Sequence, residues 1–204
     1  MKQTIVKVLL RKMVKEIILK EVKSKLKLNV YDFDSTLAIT KEKVIIKNDE
    51  GQILKYLTPH QYAEYQKSPN EIADYSCFKI VKDAEINKPV FDSFIRSIKN
   101  TNSKNTTYIL TARGNESGIW INKFLKDNNV NLSQDHIITL DSSNPIDKSN
   151  WIKNKMLDLN ISKVFFCDDS IRNVNAVNHL LQDEDLKNKF GNKIHIKTKH
   201  IKIK

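Results

Sequence analysis

Four carboxylates carry the chemical interest of this sequence. Asp32 and Asp34 close the apolar run Leu28 to Phe33 (LNVYDF) and lead into Ser35 and Thr36, while Asp168 and Asp169 follow Lys163 to Cys167 (KVFFC). A third β-prone run, Thr107 to Thr111 (TYILT), ends in a hydroxyl and continues into Ala112 and Arg113. Asp34, Thr111 and Asp168 are 77 and then 57 residues apart, so only tertiary structure can gather them. Four carboxylates in one crevice would repel one another and resist ionisation unless a cation neutralised them. A hard divalent ion with oxygen ligands meets that need, and Mg²⁺ is the expected one. Capping or turn formation by Asp, Ser and Thr explains any one of these strand ends, but poorly explains three.

The elements around these residues supply the means of gathering them. Two further β-prone runs, His136 to Leu140 (HIITL) and Lys193 to Lys197 (KIHIK), complete a set of five. Helical patterns separate them, over 89–99, 116–128, 148–159 and 171–190. Strand and helix alternate, which predicts an α/β fold with a central parallel sheet and helices on both faces. Ligands of such folds bind beyond the carboxyl ends of the strands, where the polar residues fall.

Residues 38–88 interrupt this alternation directly after the first strand. Lys43 to Tyr56 reads as a hairpin turning at Asn48, Asp49, Glu50 and Gly51, and Thr58-Pro59 starts a short helix running to about Gln66. Residues 67–88 read as irregular. Before the first strand, Val6, Leu10, Met13 and Ile17 recur at helical spacing with Lys and Arg opposite, which predicts a basic amphipathic helical extension over 1–27. The remainder, 28–204, reads as one domain with 38–88 as a flap or small cap.

Asp32-x-Asp34-x-Thr36-Leu37 after a hydrophobic strand, Thr111 closing ILT, a downstream lysine, and Asp168-Asp169 after VFFC resemble the four motifs of the haloacid dehalogenase-like superfamily. The resemblance spans residues 28–180. YDFDSTL, YILTARG, SSNPIDKSNWI and VFFCDDSIRNVNAV are similar to small phosphatase-like members common in bacteriophages and other viruses. It implies a Rossmann-like three-layer sandwich and a Mg²⁺-dependent phosphomonoester hydrolase. Asp32 would be the nucleophile that becomes an aspartyl-phosphate, and Asp34 the general acid and then base, its backbone carbonyl on the metal. Thr111 would donate to a phosphoryl oxygen, with Asp168 and, more weakly, Asp169 completing the metal shell. Ser35, Thr36, Ala112 and Arg113 would lie against the substrate, Arg113 either on its oxygens or in a surface salt bridge.

The resemblance calls for one lysine that lets Asp32 approach an anionic phosphate. Lys148, Lys153 and Lys155 all precede the last motif, and Lys148 is the choice, at the helix start after Pro145 and 20 residues before Asp168. Ser35 departs from the glycine of many relatives, which a serine tolerates if its φ is negative. Arg172 stands where other branches carry a later Asp. The five histidines, His60 among them, show no paired spacing and read as surface or strand residues, and Trp120 and Trp151 as core.

Composition bounds the remaining choices. The chain has 204 residues, 40% of them hydrophobic, enough for one α/β domain with a real core. No apolar run approaches a membrane span, and Cys77 and Cys167 lack zinc or disulfide spacing, so a cytoplasmic protein without membrane insertion is expected. The net charge of +11 is held at the ends: residues 1–27 and 187–204 each carry +7, leaving the middle at −3. With 31 of 35 basic residues Lys, compositional bias accounts for the excess as readily as a nucleic-acid partner. A phosphorylated substrate is the expected partner, a nucleotide or polynucleotide 3′-phosphate end foremost, since a short insertion should leave the mouth open and Tyr56, Tyr62, Tyr65 and Tyr75 could stack bases or pack within it. A small-metabolite phosphatase is the closer rival, and a non-catalytic nucleic-acid or membrane adaptor the more distant one.

Overall fold

A computed structural model describes residues 26–99 and 105–202, together with Lys12. The amphipathic helix expected at the amino terminus lies outside the described residues. In chain order the elements are β1 (Lys27–Tyr31), β2 (Ala38–Ile39), β3 (Val44–Asn48), β4 (Ile53–Leu57), α1 (Pro59–Glu64), β5 (Glu71–Asp74), β6 (Glu85–Ile86), α2 (Lys88–Lys99) and β7 (Asn105–Thr111). They continue with α3 (Ser117–Asp127), β8 (Ile137–Thr139), α4 (Pro145–Leu159), β9 (Lys163–Asp168), α5 (Ile171–His179), α6 (Glu184–Phe190) and β10 (His195–His200).

Five strands form one parallel sheet in the order β10-β9-β1-β7-β8. Alternation along each strand splits its side chains between two cores. Leu28, Val30, Leu110, Val164 and Phe166 pack with Ile152 and Met156 of α4 and Val177 of α5. Tyr31, Ile109 and Cys167 face the other way, onto Phe91 and Phe94 of α2 and Ile121 and Leu125 of α3. The result is an α/β, Rossmann-like sandwich of three layers. Each fully buried aliphatic or aromatic side chain contributes about 1.5–3 kcal/mol, so the paired cores hold β1 rigidly at the centre. No helix among the described residues is long and apolar enough to cross a membrane.

Several boundaries depart from the sequence pattern for identifiable reasons. The helix expected over 171–190 is broken: α5 ends at His179, Leu180–Gln182 forms a 3₁₀ turn, and Asp183 caps α6 by accepting from the Leu186 N–H. The last strand begins at His195 rather than Lys193, because Gly191–Lys193 is a 3₁₀ turn and pairing with β9 opens at His195 opposite Lys163. Trp120 is exposed, not core.

The insertion between β1 and α2 leaves and returns through the antiparallel pair β2–β6. Its body is a three-stranded antiparallel sheet, β4-β3-β5, over a small core of Val44, Ile46 and Phe78. Thr58 caps α1 in a reciprocal box with Gln61, Pro59 at its first position. Residues 67–88 are only partly irregular. Glu71–Asp74 pairs with β3, and Lys47 reaches across to Asp74 at 2.6 Å. So short a strand has too little alternation to read locally, and its partner lies beyond an intervening hairpin strand and helix.

Candidate active site

β1 sits between β7 and β9, where the strand order reverses, and its end opens the crevice in which ligands of such sheets bind. Asp32 is held there by its own backbone, its N–H donating to the Cys167 carbonyl of β9 at 2.9 Å. The chain then turns sharply, the Phe33 carbonyl accepting from the Leu37 and Ala38 N–H groups. That turn puts Ser35 at φ 56°, the left-handed region, so the condition expected of a serine there is not met. Such a conformation costs an L-residue about 1–2 kcal/mol. Ser35 and Thr36 are buried by the turn and do not line the cavity above it.

Lys148 comes from the first turn of α4, which Asn144 caps by accepting from the Ile146 N–H. Only 3% exposed, it donates from Nζ to Asp32 Oδ1 at 2.6 Å and to Asp168 Oδ2 at 2.8 Å. Lys153 instead pairs with Asp183 and Asp185 at the surface, and Lys155 lies over the rings of Tyr108 and Trp151. Asp168, fully buried, also accepts from the Ser170 N–H at 2.8 Å and from Asn173 Nδ2 at 3.0 and 3.1 Å. Burial alone would depress the Lys148 ammonium, but Asp168 and Asp32 reverse this and hold its pKa above the ordinary lysine value.

Asp32, Asp168 and Asp169 can each present a carboxylate oxygen with all three within 4.8 Å of one another. Burial raises the Asp32 pKa well above the ordinary carboxylate range; Lys148 opposes the rise, and Asp168, Asp169 and Asp34 add to it. Asp169 is pushed up to about 7 by burial and by Asp168, and its buried Oδ2 has no hydrogen-bond partner. Ionised together, the three carboxylates would outnumber the one ammonium by two charges in a dry place, which is why burial and mutual repulsion hold protons on them in the absence of a cation. An all-oxygen donor set with that charge deficit fits one hard divalent cation.

The raised carboxyl makes a prediction for protein stripped of divalent ions. Folding favours protonated Asp169, whose stabilising effect is full below the unfolded value of 3.8 and is lost as pH rises toward about 7. Melting temperatures in chelator should therefore fall between pH 4 and 7. Asp169→Asn should flatten that fall, and saturating Mg²⁺ should remove most of it. Equal slopes for wild type and variant would refute the assignment.

Asp34 is turned out of this cluster. Arg113 grips both its oxygens, Nε to Oδ2 at 2.8 Å and Nη2 to Oδ1 at 2.7 Å, and the Thr40 hydroxyl donates to Oδ1 at 2.8 Å. Arg113 is neither a surface salt bridge nor free for substrate. It is 4% exposed, donates from Nη1 to the carbonyls of Phe78 and Ile80, lies 3.6 Å from Glu42 and stacks against the rings of Phe33 and Phe78. Arg113→Met would strand two carboxylates and two carbonyls, for an expected loss of about 3 kcal/mol in urea unfolding. Lysine should restore little of it, since an ammonium cannot form the bidentate fork. An unfolding midpoint unchanged in either variant would refute this role.

A cavity of about 450 Å³ lies over the strand ends between sheet and insertion. Asp32, Asp34, Thr111, Ala112, Arg113, Lys148 and Asp169 line it from the sheet side. Thr111 Oγ1 accepts from the Arg113 N–H at 3.3 Å, which leaves the hydroxyl proton for donation. Tyr62 and Tyr75 line the cavity from the insertion, whereas Tyr65 bonds Glu71 within it and Tyr56 is exposed. Sequence reasoning passed over His60, whose Nδ1 lies 3.4 Å from Asp169 Oδ2, because nothing in Thr58-Pro59-His60 shows where the insertion folds back. It also passed over Asn173, whose place five residues after Asp168, on the first turn of α5, was a usable signal.

No protein-family model, curated protein or solved structure matches this chain.

Proposed function

We propose that this protein is a Mg²⁺-dependent phosphomonoester hydrolase that works through an aspartyl-phosphate, as the resemblance to the haloacid dehalogenase-like superfamily implies. The observation that carries this reading is the buried Lys148 bridging Asp32 and Asp168 beside the partnerless oxygen of Asp169, at the strand-order reversal. An ion pair that served only stability would not need a third buried carboxylate against it, for Asp169 adds repulsion while its Oδ2, 3.4 Å from His60 Nδ1, makes no hydrogen bond in return.

Asp32, Asp168 and Asp169 are the residues that would hold the cation. Bound there, Mg²⁺ would withdraw charge from the phosphoryl oxygens and relieve their repulsion with the carboxylates. Asp32 then attacks phosphorus, forming its O–P bond as the bond to the leaving oxygen breaks. Lys148 supplies fixed positive charge beside the attacking carboxylate, and Thr111 donates its hydroxyl proton to a phosphoryl oxygen. Asp34 protonates the leaving oxygen and then takes a proton from the water that hydrolyses the aspartyl-phosphate. To do the first it must part from Arg113, which makes that ion pair a control point on the reaction.

Phosphate release from an aryl phosphate, mononucleotides, sugar phosphates and 3′- and 5′-phosphorylated oligonucleotides tests the reading. Release is expected with Mg²⁺, is lost in EDTA and returns when Mg²⁺ is restored. Folded, Mg²⁺-supplied protein that releases phosphate from none of them would overturn it.

A further inference from the structure

The insertion narrows the mouth and leaves the cavity partly open. Arg113 donates to the Phe78 and Ile80 carbonyls, His60 Nδ1 stands 3.4 Å from Asp169, and Lys79 reaches Glu116 at 3.5 Å. These contacts tie the insertion to the sheet on several sides of the cavity. The cavity volume, about 450 Å³, is of the size class that takes a single small organic molecule. A polynucleotide end would have to bring neighbouring phosphates and bases through those ties.

The two walls of the cavity differ in chemistry. The insertion contributes Val44, Pro59, Tyr62, Tyr75 and Phe78 beside the polar Asp74, Ser76 and Lys79, with Tyr62 and Tyr75 hydrogen-bonded through their hydroxyls and packed edge to face at 5.5 Å between centroids. The loop leading into α4 contributes Ser142, Ser143 and Asn144. Rings fixed by their neighbours present flat apolar area at little entropic cost, which suits a planar ligand group. Hydroxyls of a polyol laid on the ring faces would find no partner there, a penalty a planar apolar group avoids. We infer that the substrate is a single small phosphomonoester whose alcohol carries a planar aromatic or heteroaromatic group, of nucleoside size, seated between the Tyr62–Tyr75–Phe78 wall and the serine-rich loop.

The inference rests on the hydrolase reading for the position of the phosphate, and its test separates the two. Adenosine 5′-monophosphate and ribose 5-phosphate share the same scissile bond and differ in the base. With Mg²⁺, kcat/KM for the nucleotide should exceed that for ribose 5-phosphate at least tenfold. The same 5′-phosphate on a ten-residue oligonucleotide should fall at least tenfold below the mononucleotide. Tyr75→Ala should lower the nucleotide-to-ribose ratio, while Tyr75→Phe, which keeps the ring, should retain it and so exclude a folding defect. Equal kcat/KM with and without the base, or an oligonucleotide turned over as fast as the mononucleotide, would overturn the inference and leave the hydrolase intact. Absence of turnover on every compound would overturn the hydrolase instead, and direct binding to Asp32→Asn protein would then decide for the cavity: tighter binding of the nucleotide than of ribose 5-phosphate is expected, and equal binding overturns it.

Discussion

Asp32→Asn should lower phosphate release by at least about 10³-fold, the scale seen when a covalent nucleophile is removed, without unfolding the protein. The amide keeps the side chain's size and still offers an oxygen to Lys148. It cannot attack phosphorus as a carboxylate does. The largest influence on Asp32 is the burial of its charge, followed by the opposing pull of Lys148 and then the repulsion of Asp168, Asp169 and Asp34. Replacing that charge with a neutral group relieves both burial and repulsion. In chelator the variant should therefore melt at or above the wild-type temperature, a gain in stability set against a loss of function. Acid-quenched single turnovers give a second reading: wild type should carry protein-bound phosphate that hydroxylamine releases, and the variant none. Retained turnover in Asp32→Asn would remove it from the nucleophile's role.

Lys148→Met should cost both activity and fold. The methionine fills most of the lysine's volume, so the effect reports the charge and its two hydrogen bonds. Without the ammonium, Asp32, Asp168 and Asp169 face one another in a site where Asp168 is fully buried, and removing one partner of a buried ionic cluster costs about 3–5 kcal/mol. Turnover should fall by about 10²–10³-fold, the range for removing one group aimed at developing negative charge. The stability deficit should shrink as pH falls, because carboxyls with raised folded pKa values take up protons in place of the lost cation. Mg²⁺ should raise the melting temperature of Lys148→Met more than that of wild type, since it restores positive charge that the substitution removes from the cluster. An equal rise in both proteins would mean that the cation binds elsewhere.

Much of this architecture could be read along the chain because it depends on near-neighbour periodicity. LNVYDF, TYILT and KVFFC are short and predominantly apolar, as strands covered on both faces are, and each lies within a residue or two of the observed strand. The polar residues that end them were therefore assignable to one edge of the sheet. Where periodicity was too brief, the reading failed: Glu71–Asp74 has four residues and a partner beyond an intervening hairpin strand and helix, and α5 and α6 merge in pattern although Asp183 caps the second.

The strand–helix alternation, the strand ends at which Asp32, Thr111 and Asp168 emerge, and the excess of carboxylates over cations there all follow from residue type and order. What those carboxylates touch does not follow from residue type and order. Lys148 and Lys153 are five residues apart on α4, about 140° around the helix, so only the packing face of α4 chooses which one is buried. The engagement of Arg113 with Asp34, and the approach of His60 to Asp169, depend on where the insertion closes. Lys148 meets Asp32 across 116 residues of chain. Local pattern sets which face of an element is apolar; contact between distant residues is set by strand order and by the covering of both sheet faces, which are properties of the whole packed chain.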